Sequence, residues 1–208
     1  MLLEIHPENP ASRKIKQVVE ILQKGGVIIY PTDTVYGLGC DISNHKAVER
    51  ICKIKGIKPE KANFSFICAD LSNIAAYTKP FSNQIFKLMK RSLPGPYTFI
   101  LKANNSLPKL MKNKKKTIGI RVPNTPIVYE LVAQLGQPLM STSIKNLDEA
   151  DDIVEYPTDP WEIYEQYKHL VDLVIDGGIG NNIPSTVFDC TNNPPELIRK
   201  GLGEVEDF

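Results

Sequence analysis

Along the chain, short apolar runs alternate with amphipathic stretches. In residues 12–24, "SRKIKQVVEILQK", Ile15, Val18, Val19 and Leu22 recur at helical spacing behind a possible Ser12 cap, and Gly25-Gly26 ends the run. The pattern predicts an amphipathic helix leading into "VIIY", an unbroken apolar run that reads as a buried strand. After a glycine-bearing turn at 37–39, "NHKAVERICKIKG" reads as a second helix with Asn44 as its cap and Gly56 as its stop. "FSFICA" then returns as a strand.

A helix across roughly 81–91 meets "PGP", and "YTFILK" and "TIGIRV" follow as strands on either side of a lysine-rich loop. The clearest helix lies in "PNTPIVYELVAQLG". Pro126 stands where a first turn tolerates it, Val128, Leu131, Val132 and Leu135 share a face, and Gly136 closes the end. Next come a strand in "PLMSTS", an acidic connection, a helix starting at "DPWEIYEQY", and three short strands in "DLVID", "STVFDC" and "ELIRKG". Helices alternating with strands, several of them adjacent late in the chain, predict an α/β or α+β fold with an open sheet of mixed direction.

The 208 residues suit one domain, here read as 1–208, and 42% apolar with 24% charged residues is ordinary globular usage. The net charge of +1 conceals a segregation: Lys109, Lys112, Lys114, Lys115 and Lys116 crowd one segment, whereas residues 148–165 hold eight acids and no Lys or Arg. Such runs are either solvated faces or a surface suited to phosphate. Cys40, Cys52, Cys68 and Cys190 lack C-x-x-C spacing and read as small buried side chains, and His6, His45 and His169 are scattered. With neither a signal peptide nor an apolar span of membrane length in view, the reading expects a reducing, cytoplasmic compartment and no membrane partner.

Neither G-x-G-x-x-G nor G-x-x-x-x-G-K-[ST] occurs, which excludes nucleotide binding by those two devices. Polar groups instead recur at predicted strand ends: Thr32 and Thr34, Ser141 to Ser143, Arg121, and Ser185 with Thr186. Strand ends are where such sheets usually bind ligands, and hydroxyls hold a polar ligand without adding charge. Arg121, flanked by Ile120 and Val122, needs an anion if it points inward. That partner is either a ligand carboxylate or an acid of the chain. Lys53, Lys55, Lys58 and Lys61, and later Arg199 and Lys200, supply cations for phosphate or for a helix end. A Ser-His-Asp set, paired catalytic carboxylates and a metal cage are all missing from these loops, so catalysis would rest on orientation and charge neutralisation.

Six stretches then occur in an order that resembles one family. "GGVIIYPTDTVYGLGCD", "KGIKP" with Asn63, "PGPYTFIL", "TIGIRVP", "STS" and "PSTVFDCT" with "LIRKG" are similar to the motifs of the YrdC family of threonylcarbamoyl-AMP synthases, over roughly residues 8–204. "HPENP", "ERICKIK", "NFSFIC" and "KKTIG" look closest to its YciO branch. The resemblance implies a twisted open mixed sheet with flanking helices around a large basic cavity. It also implies the condensation of L-threonine, bicarbonate and ATP, with Mg²⁺ carried by the nucleotide, to threonylcarbamoyl-AMP and pyrophosphate in tRNA modification. The alternative in the same fold is binding of double-stranded RNA, tRNA or the ribosome without that chemistry.

By the same resemblance, Thr34, Arg121, Ser141 and Ser185 would hold threonine, with Gly37 and Gly39 permitting close backbone approach. Lys55, Asn63, Thr117, Ser143 and Arg199 would face ATP, Lys55, Arg121 and Ser143 would act in catalysis, and Lys114, Lys115 and Lys116 would contact RNA. The chain departs from the synthases at K-x-R, which reads Lys55-Gly56-Ile57-Lys58, and at S-x-N, which reads Ser143-Ile144-Lys145 with Asn146 one place late. Cys68 also stands where the synthases carry a histidine of the threonine pocket.

Overall fold

The computed structural model describes residues 1–59, 62–72, 74–105, 116–144 and 155–205. Among these residues ten strands form one sheet: β1 (Leu2–Glu4), β2 (Val27–Tyr30), β3 (Gly37–Asp41), β4 (Ser65–Ile67), β5 (Tyr97–Lys102), β6 (Thr117–Arg121), β7 (Leu139–Ser143), β8 (Leu173–Asp176), β9 (Thr186–Asp189) and β10 (Glu196–Arg199). Their order across the sheet is β1-β8-β2-β3-β7-β4-β6-β5-β9-β10. Pairings β1–β8, β2–β8, β4–β6 and β5–β9 are parallel and the others antiparallel, which is the mixed sheet the pattern predicts. Among the described residues five α-helices flank it: α1 (Ser12–Gln23), α2 (His45–Ile54), α3 (Asn83–Ser92), α4 (Pro126–Leu135) and α5 (Pro160–Tyr167).

Side chains at the starts of four helices accept the first free amide protons: Asn44, Ser82, Thr125 and Asp159. Each such cap contributes about 1 kcal/mol. The predicted Ser12 cap is corrected. Ser12 is already helical, Ala11 occupies the cap, and no side chain closes that end. Two strands went unpredicted. Leu2–Glu4 is short and is fixed by parallel pairing with β8, while Gly37–Asp41, read as a turn, runs as a fully buried strand between β2 and β7. Burial and pairing on both sides outweigh the poor strand propensity of its two glycines and aspartate.

Strand alternation divides the sheet's faces. One face, with Val27, Ile29, Leu38, Met140, Phe66, Ile120, Phe99 and Phe188, is covered along its length by side chains of α2, α3 and α5 such as Ile51, Met89 and Tyr167. On the other face, Ile28, Tyr30, Leu139, Ile67, Leu173 and Ile175 pack against Ile15 and Leu22 of α1 and Val128 and Leu131 of α4. Those two helices reach as far as Leu139 of β7 and Ile67 of β4. Elsewhere on that face, from β7 to β9, the same alternation presents Ser141, Ser65, Gly119 and Thr98 to an open hollow.

All four cysteines are free thiols and buried, as their spacing implied. Burial pushes the thiols of Cys68 and Cys190 up to about 12, and that of Cys40 upward as well. It also pushes the hydroxyls of Tyr30 and Tyr36 up to about 12. An acid whose pKa is higher folded than unfolded stabilises the fold fully below its unfolded value, about 8.5 for a thiol and 10 for a phenol. That contribution is lost as pH rises toward the folded value. The urea midpoint is therefore expected to hold between pH 7 and 8 and to fall progressively toward pH 11; a midpoint unchanged at pH 11 would contradict this burial.

Candidate active site

The hollow has a volume of about 620 Å³, and its wall is built by alternate residues of adjacent strands. Thr98, Ile100 and Lys102 of β5, Thr117, Gly119 and Arg121 of β6, Ser141 and Ser143 of β7, and Val187 and Asp189 of β9 face it. Asn63, Ser185 and Arg199 also line it. Of the groups expected at strand ends, Ser141 to Ser143, Arg121 and Ser185 meet on one concave sheet face, spread along the strands, whereas Thr32, Thr34 and Thr186 do not line it. Lys102, Arg121 and Arg199 against the lone carboxylate of Asp189 make the described wall basic.

Arg121 ends β6, and its side chain is only 12% exposed. Its Nη2 donates to Thr34 Oγ1 at 2.8 Å and to Asp33 Oδ1 at 3.2 Å. The Nε–H is buried and finds no acceptor among the described residues. Burial pushes this guanidinium down from its usual range; Asp33 and Tyr30 hold it up, and nearby Arg199 works with burial. An acid of the chain therefore meets one edge of the Arg121 fork, and the residue also lines the hollow. Asp33, which sequence reading passed over inside the stretch "PTDTVYG", also accepts the Asn124 N–H at 3.0 Å, joining Arg121 to the start of α4.

Thr34 stands behind this arginine and off the wall. The hydroxyl of Thr32 donates to the Val35 carbonyl at 2.7 Å, so in the 3.1 Å contact between Thr32 and Thr34 the donor is Thr34. Having accepted from Arg121 and donated to Thr32, the 1% exposed Thr34 hydroxyl is occupied within the protein. Ser141 is on the wall and accepts from the Tyr30 hydroxyl at 2.5 Å. Ser185 pairs with Thr98 at 2.8 Å between hydroxyls, and its carbonyl accepts from Arg199 Nη2 at 2.8 Å and Nε at 3.2 Å.

Asn63, Thr117, Ser143 and Arg199, expected to face ATP, all line the hollow. Lys55 does not; from the end of α2 it donates to the Ser143 carbonyl at 2.8 Å and so holds the end of β7. Lys116 is exposed in a left-handed conformation, φ 53°, just before β6, while Lys114 and Lys115 lie outside the described residues.

Gly37 itself lines the hollow, and Gly37 and Gly39 also make room for a tyrosine: a Cβ on either would lie 2.9 Å from the Tyr30 ring. Cys68 is not part of the wall; three residues after Ser65 it has the opposite parity and packs in the helix-covered core. At the altered K-x-R, Ile57 packs against that core as well, so no guanidinium stands there. Thr98, Lys102 and Asp189 were missed; Thr98 and Lys102 share one parity in "YTFILK", as Val187 and Asp189 do in "STVFDC".

Residues 20–201 match the sequence profile of the Sua5/YciO/YrdC family, whose description is "Telomere recombination". The chain belongs to this family. The uncharacterized protein YciO of Escherichia coli is 45% identical over 205 residues, covering 98% of this chain and 97% of that one. Its crystal structure superposes with a TM-score of 0.90 over 100% of this chain and 98% of that one. The threonylcarbamoyl-AMP synthase of Vibrio vulnificus is 31% identical over 191 residues, 90% of this chain and 98% of the enzyme. P. abyssi Sua5, solved in complex with L-threonine, is 26% identical with a TM-score of 0.85 over 97% of this chain and 57% of that longer protein. The Sua5/YciO/YrdC fold thus extends over both the sheet and the strands that wall the basic hollow.

Proposed function

We propose that this protein condenses L-threonine, bicarbonate and ATP to threonylcarbamoyl-AMP and pyrophosphate. The observation that carries the reading is the fork of Arg121. One amino group is held by Thr34 and Asp33, while the buried Nε–H has no acceptor among the described residues, at the edge of a hollow that also contains Arg199. A buried unpaired donor costs about 1–3 kcal/mol, which a ligand carboxylate entering beside Arg121 would offset. The family supports the choice of amino acid: a Sua5 relative is solved with L-threonine, and a relative at 31% identity is a threonylcarbamoyl-AMP synthase.

In this reading the threonine carboxylate lies against Arg121 and Ser141. Its amine, having added the carbon of bicarbonate with loss of water, presents a carbamate oxygen to the α-phosphorus of ATP. That P–O bond forms as the bond to pyrophosphate breaks, and Arg199 and Lys102 balance the charge that develops on the leaving group. Thr117, Asn63 and Ser143 supply neutral hydrogen-bonding groups along the nucleotide. Mg²⁺ arrives with ATP; Asp189 is the one carboxylate on the described wall. With Ile57 where the synthases carry an arginine, turnover is expected to be slow.

The deciding measurement is pyrophosphate release at high enzyme concentration from ATP, Mg²⁺, threonine and bicarbonate. Release is expected only when both threonine and bicarbonate are present. Pyrophosphate formed equally without threonine, or none at all, overturns the proposal.

A further inference from the structure

Tyr30 ends β2 wholly buried, with its ring laid over Gly37 and Gly39 of the neighbouring β3. The two glycines of "GLG" form a slot shaped to that ring. Within the slot the phenol reaches across β3 to Ser141 on β7, 2.5 Å away, in a buried hydrogen bond. A phenol is a better donor and a poorer acceptor than an alcohol, so the proton runs from Tyr30 to Ser141. A serine hydroxyl has a single proton. With Tyr30 supplying the bond it accepts, Ser141 is left to donate, and its other neighbour is the hollow.

We propose that Tyr30 is a positioning residue that fixes the Ser141 hydroxyl as a donor into the hollow, making the corner beside Arg121 selective for an anionic oxygen. Its ligand is the carboxylate of the amino-acid substrate, and that identification rests on the function proposed above; the hydrogen-bond direction does not. The chain Tyr30 to Ser141 to carboxylate is also cooperative, each bond polarising the next in a water-poor setting. The Thr98–Ser185 pair offers a contrast. There two aliphatic hydroxyls of similar acidity meet at 2.8 Å and either can donate, and the only bias is a long 3.4 Å contact from Arg199 Nη2 to Ser185 Oγ among the described residues.

Two measurements test this. In the ligand-free protein, the Tyr30 hydroxyl proton is expected as a slowly exchanging, far-downfield NMR resonance that Tyr30→Phe removes and Ser141→Ala shifts. Calorimetric titration with L-threonine then closes a double-mutant cycle. Tyr30→Phe and Ser141→Ala are each expected to weaken binding by about 5- to 15-fold, the worth of one hydrogen bond, and the double variant to be no weaker than Ser141→Ala alone. Threoninol, which lacks the carboxylate, should bind Tyr30→Phe as it binds the parent protein. A resonance that is absent or that ignores Ser141→Ala overturns the relay, as do additive losses in the cycle. A resonance that behaves as expected in a protein that binds no threonine upholds the relay and overturns the amino-acid reading instead. Matching thermal melts of Tyr30→Phe and the parent separate both outcomes from a folding defect, since phenylalanine keeps the ring in its slot.

Discussion

Arg121→Ala is expected to abolish threonine-dependent pyrophosphate release, with a fall of between about 30-fold and several-thousand-fold in kcat/KM for threonine. The range corresponds to the 2–5 kcal/mol lost when one partner of a buried charge pair is truncated. The side chain is 12% exposed, so water cannot take over its role as it would at a surface. Because alanine also strips Asp33 of its counter-charge, Arg121→Lys is the necessary companion. It keeps a cation against Asp33 and should fold. Yet a single ammonium cannot hold Thr34 and Asp33 on one edge while presenting a second donor edge to a carboxylate, so lysine should recover less than a tenth of the activity. Unaltered threonine dependence in either folded variant would remove Arg121 from the site.

Local chemistry explains what could be read in advance. Asn44 followed by an amphipathic run, and Thr125-Pro126 with Gly136 ten residues on, are short-range signals that the backbone obeys wherever the chain lies. The same holds for "VIIY", whose β-branched run has few good alternatives to a buried strand. Gly37–Asp41 failed as a prediction because its two glycines and closing aspartate read as a turn, even with Val35, Tyr36 and Ile42 beside them. Its conformation is imposed by β2 on one side and β7 on the other.

The site divides along the same line. Serines, threonines and Arg121 on the wall could be nominated by residue type, but which of them touch ligand depends on strand parity and on distant partners. Arg121 meets Asp33 and Thr34 across 88 and 87 positions, and Tyr30 meets Ser141 across 111. Composition carries no trace of such pairings. Thr34 and Lys55, assigned to ligands by resemblance, hold Arg121 and the end of β7 in this structure.

Asp33→Ala is expected to destabilise the fold by about 3–5 kcal/mol, a large share of the stability of a domain this size. The aspartate side chain is 11% exposed, and its two oxygens serve Arg121 and the Asn124 amide, so alanine leaves a buried guanidinium unpaired and an amide without its acceptor. The ion pair itself is a weak source of net stability, since its attraction roughly balances the cost of drying two charges. Removing both charges should therefore harm the fold far less than removing one. Asp33→Leu combined with Arg121→Met is expected to recover most of the loss, falling short by the roughly 1 kcal/mol that the Asn124 amide forfeits. Urea unfolding with a shared m-value measures all three proteins. An Asp33→Ala protein within about 0.5 kcal/mol of the parent would mean that water reaches this pair, and the case for an anion-seeking arginine in a dry corner would fall with it. If the double variant instead folds well and releases no threonine-dependent pyrophosphate, the pair is retained for the ligand it orients, and its charge belongs to function and not to the fold.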